Sequence, residues 1–363
     1  MSNTYIDQLN YASERLIEND FRTIKGVLVK VSSDKVYLLS LYPYIAFFLR
    51  EAQDYLSVSL VDNKTDNMIC DIRNGLKFIN NRYNRIIKTV GSEDKSQNDY
   101  FSNLLRFKFL KKYNLYYNIG TYLSESGSII NNTQLYSYYL NMADGNRTKL
   151  GIRAYTVGLG LGSSFGSMEK YISSVDALKI DSELPKIGYQ DFNTNKNNNI
   201  FRFDDDKELN LLLLHLLSIY NSYHLLFEPL LEDNNSWKLR FEYVVCHSVW
   251  SSLNNVKNHF MFDTPPEGIR LNELSTLVDK GVQLFPSSYR NAMFHYGLIT
   301  KKGPSIIEKY YNEHDTLFGL VESCFDGKHI DGYYKELRIY MADVRKYLES
   351  FFIIDASKTK YDL

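Results

Sequence analysis

The sequence contains little of what several protein classes require. Only three of its 363 residues are cysteines, at the widely separated positions Cys70, Cys246 and Cys324. Because no C-x-x-C pair is present, neither a disulfide framework nor a thiolate zinc site is expected. The 42 basic residues nearly balance the 43 acidic ones, giving a net charge of -1. A nucleic acid or an anionic lipid would therefore have to bind at a local basic patch.

Long apolar runs are also missing. The stretch Val36–Leu49 is short and broken by Pro43, and Leu209–Phe227 is interrupted by His215, Asn221 and His224. A membrane-spanning helix needs about 20 apolar residues, so both stretches are better explained as core. The first residues, MSNTYIDQLN, lack the basic and apolar regions of a signal peptide. We therefore expect a cytoplasmic protein without a membrane partner.

An Asn-rich polar run suggests how the chain is divided. Residues 192–207 read FNTNKNNNIFRFDDDK and contain too few apolar residues for a packed element. A chain of this length predicts about two domains. We therefore predict an N-terminal domain at 1–191, a linker at 192–207 and a C-terminal domain at 208–355.

The N-terminal half contains mixed periodicities. Tyr5–Glu18 has the spacing of a helix, whereas the β-branched stretches Ile24–Val31 and Val36–Leu41, separated by a polar turn, predict a β-hairpin. The alternation in Leu56–Leu60 is typical of a half-buried strand, and Asp99–Ser124 has a helical pattern. This half is predicted to be a mixed α/β domain, whose role the sequence leaves open.

The C-terminal half predicts helices alone. Six of the seven prolines and all seven histidines lie beyond residue 184, and the prolines separate long helical patterns. The predicted helices are Glu208–Glu228, Ser236–Met261, Leu271–Phe285, a short helix capped by Ser288 and followed by Gly297, one opened by Pro304, and Tyr333–Ile354. The overall fold class is therefore α+β, with an all-α bundle in the second half.

Two patterns associated with ligands are incomplete. Four glycines occupy positions 158, 160, 162 and 166, but a dinucleotide-binding G-x-G-x-x-G pattern would need glycine where Phe165 stands. We interpret the run as a flexible turn. The histidines show no H-x-x-x-H or H-E-x-x-H spacing, so no metal site and no cofactor are expected.

A basic and aromatic segment has two interpretations. Four cationic residues alternate with aromatic ones between positions 106 and 117. Such a segment can hold a phosphate backbone while its rings stack on bases. A solvent-exposed helix face with buried rings accounts for the same letters, and we favour that second interpretation. The cationic residues are Arg106, Lys108, Lys111 and Lys112.

The most informative segment is FPSSYRNAMFHYGL, residues 285–298. It places Arg290, Asn291 and His295 as R-N-x-x-x-H on a short predicted helix. Asn291 and His295 are four residues apart on one face, whereas Arg290 points about 140° away from His295 and must reach round. Arg290 also falls in the first turn, where free N–H groups favour an anion.

The charges around this segment are of one sign. No Asp or Glu occurs between residues 280 and 307, so this is the local basic patch of a nearly neutral chain. Its other cations are Lys280, Lys301 and Lys302.

The three polar residues suit phosphodiester chemistry without a metal. An arginine offers a permanently charged fork for phosphate oxygens, and a histidine can exchange protons near neutral pH. An asparagine such as Asn291 can orient the imidazole ring or bind the phosphate without adding charge. The competing interpretation is a helix end whose Arg290 and His295 only satisfy nearby carbonyls. A looser match, Arg240 to His247, lies in an apolar helical run and is interpreted as core.

The R-N-x-x-x-H segment resembles the signature of the HEPN superfamily (higher eukaryotes and prokaryotes nucleotide-binding), and the helices from about 207 to 354 resemble its bundle. Much of that superfamily consists of metal-independent endoribonucleases of toxin-antitoxin, abortive infection and antiviral defence systems. The resemblance implies that Arg290 and His295 are the catalytic pair and that Asn291 assists them. It also implies that Lys280, Lys301 and Lys302 contact RNA. A homodimer with a composite site, and an antitoxin or regulatory partner, are implied as well.

The implied reaction is attack of the ribose 2′-OH on the adjacent phosphorus, with His295 as general acid or base and Arg290 stabilising the charge. By the same resemblance, Glu242 or Asp279 could support the pair. Two alternatives stay open: a superfamily member that binds nucleotides without cleaving them, and a helical interaction or scaffold protein.

Overall fold

The structure, a computed structural model, describes residues 3–77, 82–113, 115–140, 150–172, 176–195, 199–203, 205–266, 268–301 and 303–361. Within these ranges the chain is mostly helical, with a small antiparallel sheet, so the broad α+β class is confirmed. No helix in these ranges has the length and apolar character needed to cross a membrane.

Helices form most of both halves of the chain. Those of the first half are α1 (Asn3–Val31), α2 (Lys35–Leu56), α3 (Asn63–Lys77), α4 (Tyr83–Asn103), α5 (Lys108–Lys112), α6 (Thr133–Tyr139) and α7 (Leu150–Met168). Those of the second half are α8 (Lys207–Ser222), α9 (Ser236–Phe260), α10 (Leu271–Gly281), α11 (Ser287–Phe294), α12 (Leu320–Cys324) and α13 (Ile330–Glu349).

The β-hairpin predicted near residues 24–41 is wrong, because this region forms the end of α1 and the start of α2. Ile24, Val27 and Val31 are fully buried at helical spacing, whereas Val29 between them is exposed. The expected hairpin turn is a helix–helix loop in which the Asp34 carboxylate accepts hydrogen bonds from the first backbone N–H groups of α2. The helical spacing of the buried apolar residues therefore predicts this region better than the strand preference of its valines and isoleucines.

The sheet lies elsewhere in the first half. Strands β1 (Ile119–Ser124), β2 (Ile129–Asn132) and β3 (Ile187–Phe192) are antiparallel in the order β2-β1-β3. The helix predicted over Asp99–Ser124 is therefore wrong: α4 ends at Asn103, and the segment closes in strand β1. Leu56–Leu60 was predicted as a strand, but it contains the end of α2 and an unpaired loop.

The glycine run is part of a helix. All four glycines lie within α7, so the predicted flexible turn is wrong. A methyl group at Gly158 would collide with the Tyr42 hydroxyl, and one at Gly160 with the end of Met68. These two glycines allow α7 to pack closely against α2 and α3.

The second half follows its predicted helices with local differences. The predicted helix Ser236–Met261 matches α9, and the first predicted helix ends early at Ser222, followed by a π-helical turn. The helix expected from Pro304 is wrong, because Gly303–Pro304 is strand β5, paired with β4 (Ile299–Thr300). The half is thus not purely helical.

Buried contacts connect the two halves. Asp20 of α1 forms an ion pair with Arg240 of α9, and both side chains are almost completely buried. The Tyr5 hydroxyl donates a hydrogen bond to the Ile306 carbonyl oxygen at 2.5 Å. The domain boundaries at 191 and 208 stay a prediction, but the core is continuous across them.

Candidate functional site

The helix carrying the R-N-x-x-x-H segment is held by an apolar face. Helix α11 begins at Ser287 with Pro286 as its N-cap, so the predicted cap at Ser288 is wrong and Ser288 lies in the first turn. Its buried side chains are Tyr289, Ala292, Met293 and Phe294. The three polar residues of the motif remain on the outer side, where Asn291 and His295 are exposed and Arg290 is half-buried. Burial of the apolar face therefore directs the polar residues towards solvent.

His295 lies just beyond the end of this helix. Its backbone is extended, with φ -133° and ψ 152°, although its N–H still donates to the Asn291 carbonyl oxygen at 3.1 Å. The helix was predicted to continue to Tyr296, so its end is two residues early. The imidazole side chain is 52% exposed and can be reached by a ligand.

A buried carboxylate holds the His295 imidazole. The Nδ1 atom lies 2.6 Å from Oε2 of Glu51, whose side chain is only 1% exposed. Glu51 lies near the C-terminal end of α2, 244 residues away in the chain. Neither the sequence pattern nor the resemblance indicated this residue, because no local signal relates positions so far apart.

Glu51 is charged because two donors compensate for its burial. Burial alone would raise the pKa of its carboxyl group, but the hydrogen bond from His295 and the charge of Arg73 lower the pKa below its usual value. Arg73 of α3 makes an ion pair with Oε1 and lies over the Phe47 ring, 5.8 Å from its centroid. The carboxylate thus accepts from a fixed arginine on one side and from the imidazole on the other.

This arrangement fixes how the imidazole can react. An ionised carboxylate accepts a hydrogen bond from Nδ1–H and so favours the tautomer that carries its hydrogen on Nδ1 when the ring is neutral. Nε2 is then the ring nitrogen with a lone pair for proton exchange. An oriented, solvent-accessible imidazole of this kind can act as a general base or general acid.

Arg290 is linked to Asn291 and packs on the helix end. Its Nη1 donates to the Asn291 Oδ1 atom at 3.0 Å, and its guanidinium lies over the Phe294 ring at 4.9 Å from the centroid. No carboxylate in the described ranges forms an ion pair with Arg290. Asn291 therefore contacts both partners of the predicted pair, the guanidinium through its side chain and His295 through its carbonyl oxygen.

Arg240, the arginine of the looser Arg240–His247 match, is buried and contacts residues on both sides of His295. Its Nη2 donates to the Met293 carbonyl oxygen at 3.2 Å, and the Tyr296 hydroxyl donates to Asp20 at 2.7 Å. Arg240 also lies over the Tyr296 ring, 4.0 Å from its centroid. The core role expected for Arg240 agrees with this burial, and its contacts hold the backbone on both sides of His295.

A second histidine lies beside Arg290. The His247 ring packs against Phe294 with a centroid distance of 5.5 Å. Burial, together with the positive charge of Arg290, lowers the pKa of His247 to about 4, so this ring is neutral at pH 7. The sequence interpretation assigned His247 only to the core, and its closeness to Arg290 was missed.

The other residues predicted for this site lie in different surroundings. Glu242 forms a two-point ion pair with Arg338, and Asp279 contacts Lys257 at 2.6 Å, whereas the carboxylate that contacts His295 belongs to Glu51.

The predicted RNA-binding lysines are at the surface where the structure describes them. Lys280 is exposed and borders a cavity together with Leu284 and Pro286, while Lys301 is exposed in the turn between β4 and β5. Lys302 lies outside the described residues. No cluster of three or more metal-binding side chains occurs in the part of the chain that is described.

Comparisons with protein-family models, with curated proteins and with solved structures found no match. The site must therefore be interpreted from its own geometry.

Proposed function

We propose that this protein is a metal-independent endoribonuclease that cleaves RNA by transesterification, with a HEPN-like helical domain in its second half. The observation that carries the proposal is the contact between Glu51 and the exposed imidazole of His295. A buried carboxylate is costly unless it is paired, and here one of its two partners is a surface histidine. The R-N-x-x-x-H segment supplies the arginine that phosphate recognition requires.

The proposed reaction needs one proton removed and one delivered. The 2′-oxygen loses its proton to an imidazole and attacks the adjacent phosphorus, and the bond from phosphorus to the 5′-oxygen breaks. The departing 5′-oxygen takes a proton from an imidazolium. The products are a 2′,3′-cyclic phosphate and a 5′-hydroxyl, and DNA is not cleaved because it lacks the nucleophile.

Each residue has a separate role in this proposal. His295 exchanges the proton through Nε2, and Glu51 positions the ring through Nδ1. Arg290 stabilises the charge that builds on the phosphate oxygens, while Asn291 orients the guanidinium. Lys280 and Lys301, with Lys302 as a prediction from sequence alone, would attract the RNA backbone.

A homodimer would supply both proton carriers at once. Two copies of the motif across a two-fold axis bring a second His295, so that one ring accepts a proton while the other donates one. A toxin or antiviral-defence role in the cytoplasm, with an antitoxin or regulatory partner, belongs to the same proposal.

The test is RNA cleavage by the purified full chain in EDTA, with analysis of the product ends. We expect cyclic phosphate ends from the wild type and a loss of about 10²- to 10⁴-fold in His295→Asn and His295→Ala, since general acid–base catalysis contributes that much. Because asparagine can still donate a hydrogen bond to Glu51, we expect His295→Asn to fold normally. Loss of cleavage in this variant would then reflect the missing imidazole. His314→Ala, at a histidine that is 85% exposed, is the matched control and should remain active.

Two results would contradict the proposal. One is cleavage that persists in both folded His295 variants. The other is a ligand-dependent rise in melting temperature with nucleotides but no RNA product, which would indicate a nucleotide-binding protein.

A further inference from the structure

The segment from Leu104 to Leu115 presents its aromatic rings to solvent. Phe107, Phe109 and Tyr113 are 53%, 55% and 60% exposed, so the interpretation with buried rings is wrong. Leu104 and Leu115 at its ends are also exposed. The Phe107 and Phe109 rings contact each other, with 5.9 Å between their centroids, and clustered exposed apolar groups mark interaction sites. We call residues 104–115, as far as they are described, the aromatic–basic segment.

The same segment carries charge of one sign. Arg106, Lys108, Lys111 and Lys112 are all exposed, and no acidic residue occurs from position 100 to 124. Among the described residues none of these four cations forms an ion pair. Their charges are therefore available to an anionic partner.

The segment is attached to the rest of the molecule at its C-terminal side. The Tyr116 hydroxyl donates to the Asn98 side chain at 3.3 Å, and the Asn118 amide donates to the same oxygen at 2.6 Å. The Leu115 N–H donates to the Leu110 carbonyl oxygen at 2.8 Å. The backbone that carries the rings is thus anchored at this end, which reduces the entropy that binding would cost.

We propose that the aromatic–basic segment binds single-stranded RNA, independently of the site at His295. Cations that track a phosphate backbone and rings that stack on bases are the two elements of sequence-tolerant single-strand binding. The cations and rings alternate along the segment. Arg106 and Lys112 lie over the faces of Phe107 and Tyr113, at 5.7 Å and 5.6 Å from the ring centroids.

An anionic membrane fits these observations less well. Peripheral membrane helices separate a broad apolar face from a charged one, whereas α5 has only five residues and interleaves cations with rings. When a base stacks on one of these rings, the neighbouring cation stays in contact with water. Insertion of the ring into hydrocarbon would require that cation to move away or to be buried.

The experiment measures binding of the full chain to a fluorescent 12-nucleotide RNA with 2′-O-methyl groups, which cannot undergo the proposed cleavage. We expect Phe107→Ala/Phe109→Ala/Tyr113→Ala to weaken binding at least fivefold, about the smallest effect of losing one stacked base. Replacing the four cations with glutamine should weaken binding and flatten its salt dependence, whose slope is about -0.7 per phosphate contact. Tyr155→Ala/Phe262→Ala, at rings that are 68% and 88% exposed elsewhere, is the control and should bind normally.

Other outcomes separate this proposal from the alternatives. Equal weakening of duplex RNA and single strands by the ring variant would overturn base stacking. Binding to phosphatidylserine vesicles that the ring variant loses, with unchanged RNA binding, would overturn the RNA assignment in favour of a membrane. Unchanged binding of the methylated RNA by the ring variant would overturn the proposal, and this result does not depend on cleavage because the probe cannot be cut.

Discussion

At the scale of single residues, Glu51 gives the candidate site its chemical character. Its carboxylate is buried yet ionised, because Arg73 and His295 share its two oxygens. An exposed histidine without such a partner would adopt several side-chain conformers, and its proton would exchange between the two ring nitrogens. The fixed hydrogen bond restricts both, which lowers the entropy lost when a substrate is aligned with Nε2.

We predict that Glu51→Gln lowers kcat for RNA cleavage by about 10- to 100-fold, the range known for groups that orient metal-bound imidazoles. Glutamine preserves the volume but removes the charge that fixes the ring, so KM should change little. Steady-state kinetics on a short RNA would measure this split. Glu273→Gln, at a half-exposed carboxylate paired with Arg270 on α10, is the control. A change confined to KM would show that Glu51 contributes to RNA binding instead.

At the scale of elements, spacing was more informative than composition. The valines near the end of α1 have a high preference for strands, but the buried ones, Val27 and Val31, are four residues apart, as on one face of a helix. The same α1 contains Gly26, where a methyl group would stand 2.3 Å from the backbone oxygen of Leu178. The Leu178 N–H also donates to the Arg22 carbonyl oxygen, so a backbone segment is fixed against this face of the helix.

We predict that Gly26→Ala destabilises the protein by about 1–3 kcal/mol, because backbone cannot move aside as a side chain can. The matched control is Gly162→Ala in α7, where a methyl group would meet nothing within 4 Å. That substitution should stabilise the protein by about 0.5–1 kcal/mol through helix propensity. Urea denaturation would measure the change in the free energy of unfolding of each variant. An increase in that free energy for Gly26→Ala would contradict the close packing.

At the scale of the whole molecule, the two halves share buried polar contacts. Asp20 accepts from Arg240, from the Tyr296 hydroxyl and from the Ser236 hydroxyl at 3.2 Å. Asn235 donates to Thr23 at 3.0 Å on the same side. These contacts connect α1 with α9 and with the chain that carries His295. The candidate site consequently depends on both halves.

We predict that Arg240→Met destabilises the protein by about 3–5 kcal/mol, because it leaves the Asp20 charge buried without its partner. The double variant Asp20→Asn/Arg240→Met should recover a large part of this loss, since both charges are then absent. Chemical denaturation followed by near-UV and far-UV signals would measure the effect. Equal stability of the single variant and the wild type would show that the ion pair does not support the fold.

The sequence by itself determined the features that depend on neighbours in the chain. The period of apolar residues specified α9, all of α10 and most of α13, although the predicted α10 ran four residues too far. The motif placed Arg290, Asn291 and His295 at one helix end. Burial of the apolar face of α11 then kept these polar groups outside, as the pattern indicated. Whether they are catalytic stays a prediction.

The tertiary structure decided everything that depends on which surfaces meet. The contact between Glu51 and His295, the Asp20–Arg240 pair and the position of the sheet join residues far apart in the chain. The exposure of Phe107 and Phe109 was also decided by the tertiary structure, because the sequence pattern around them is compatible with either buried or exposed rings. The spacing of residues along the chain determines which element forms. The burial of side chains, their ion pairs and their pKa shifts arise only when elements pack together.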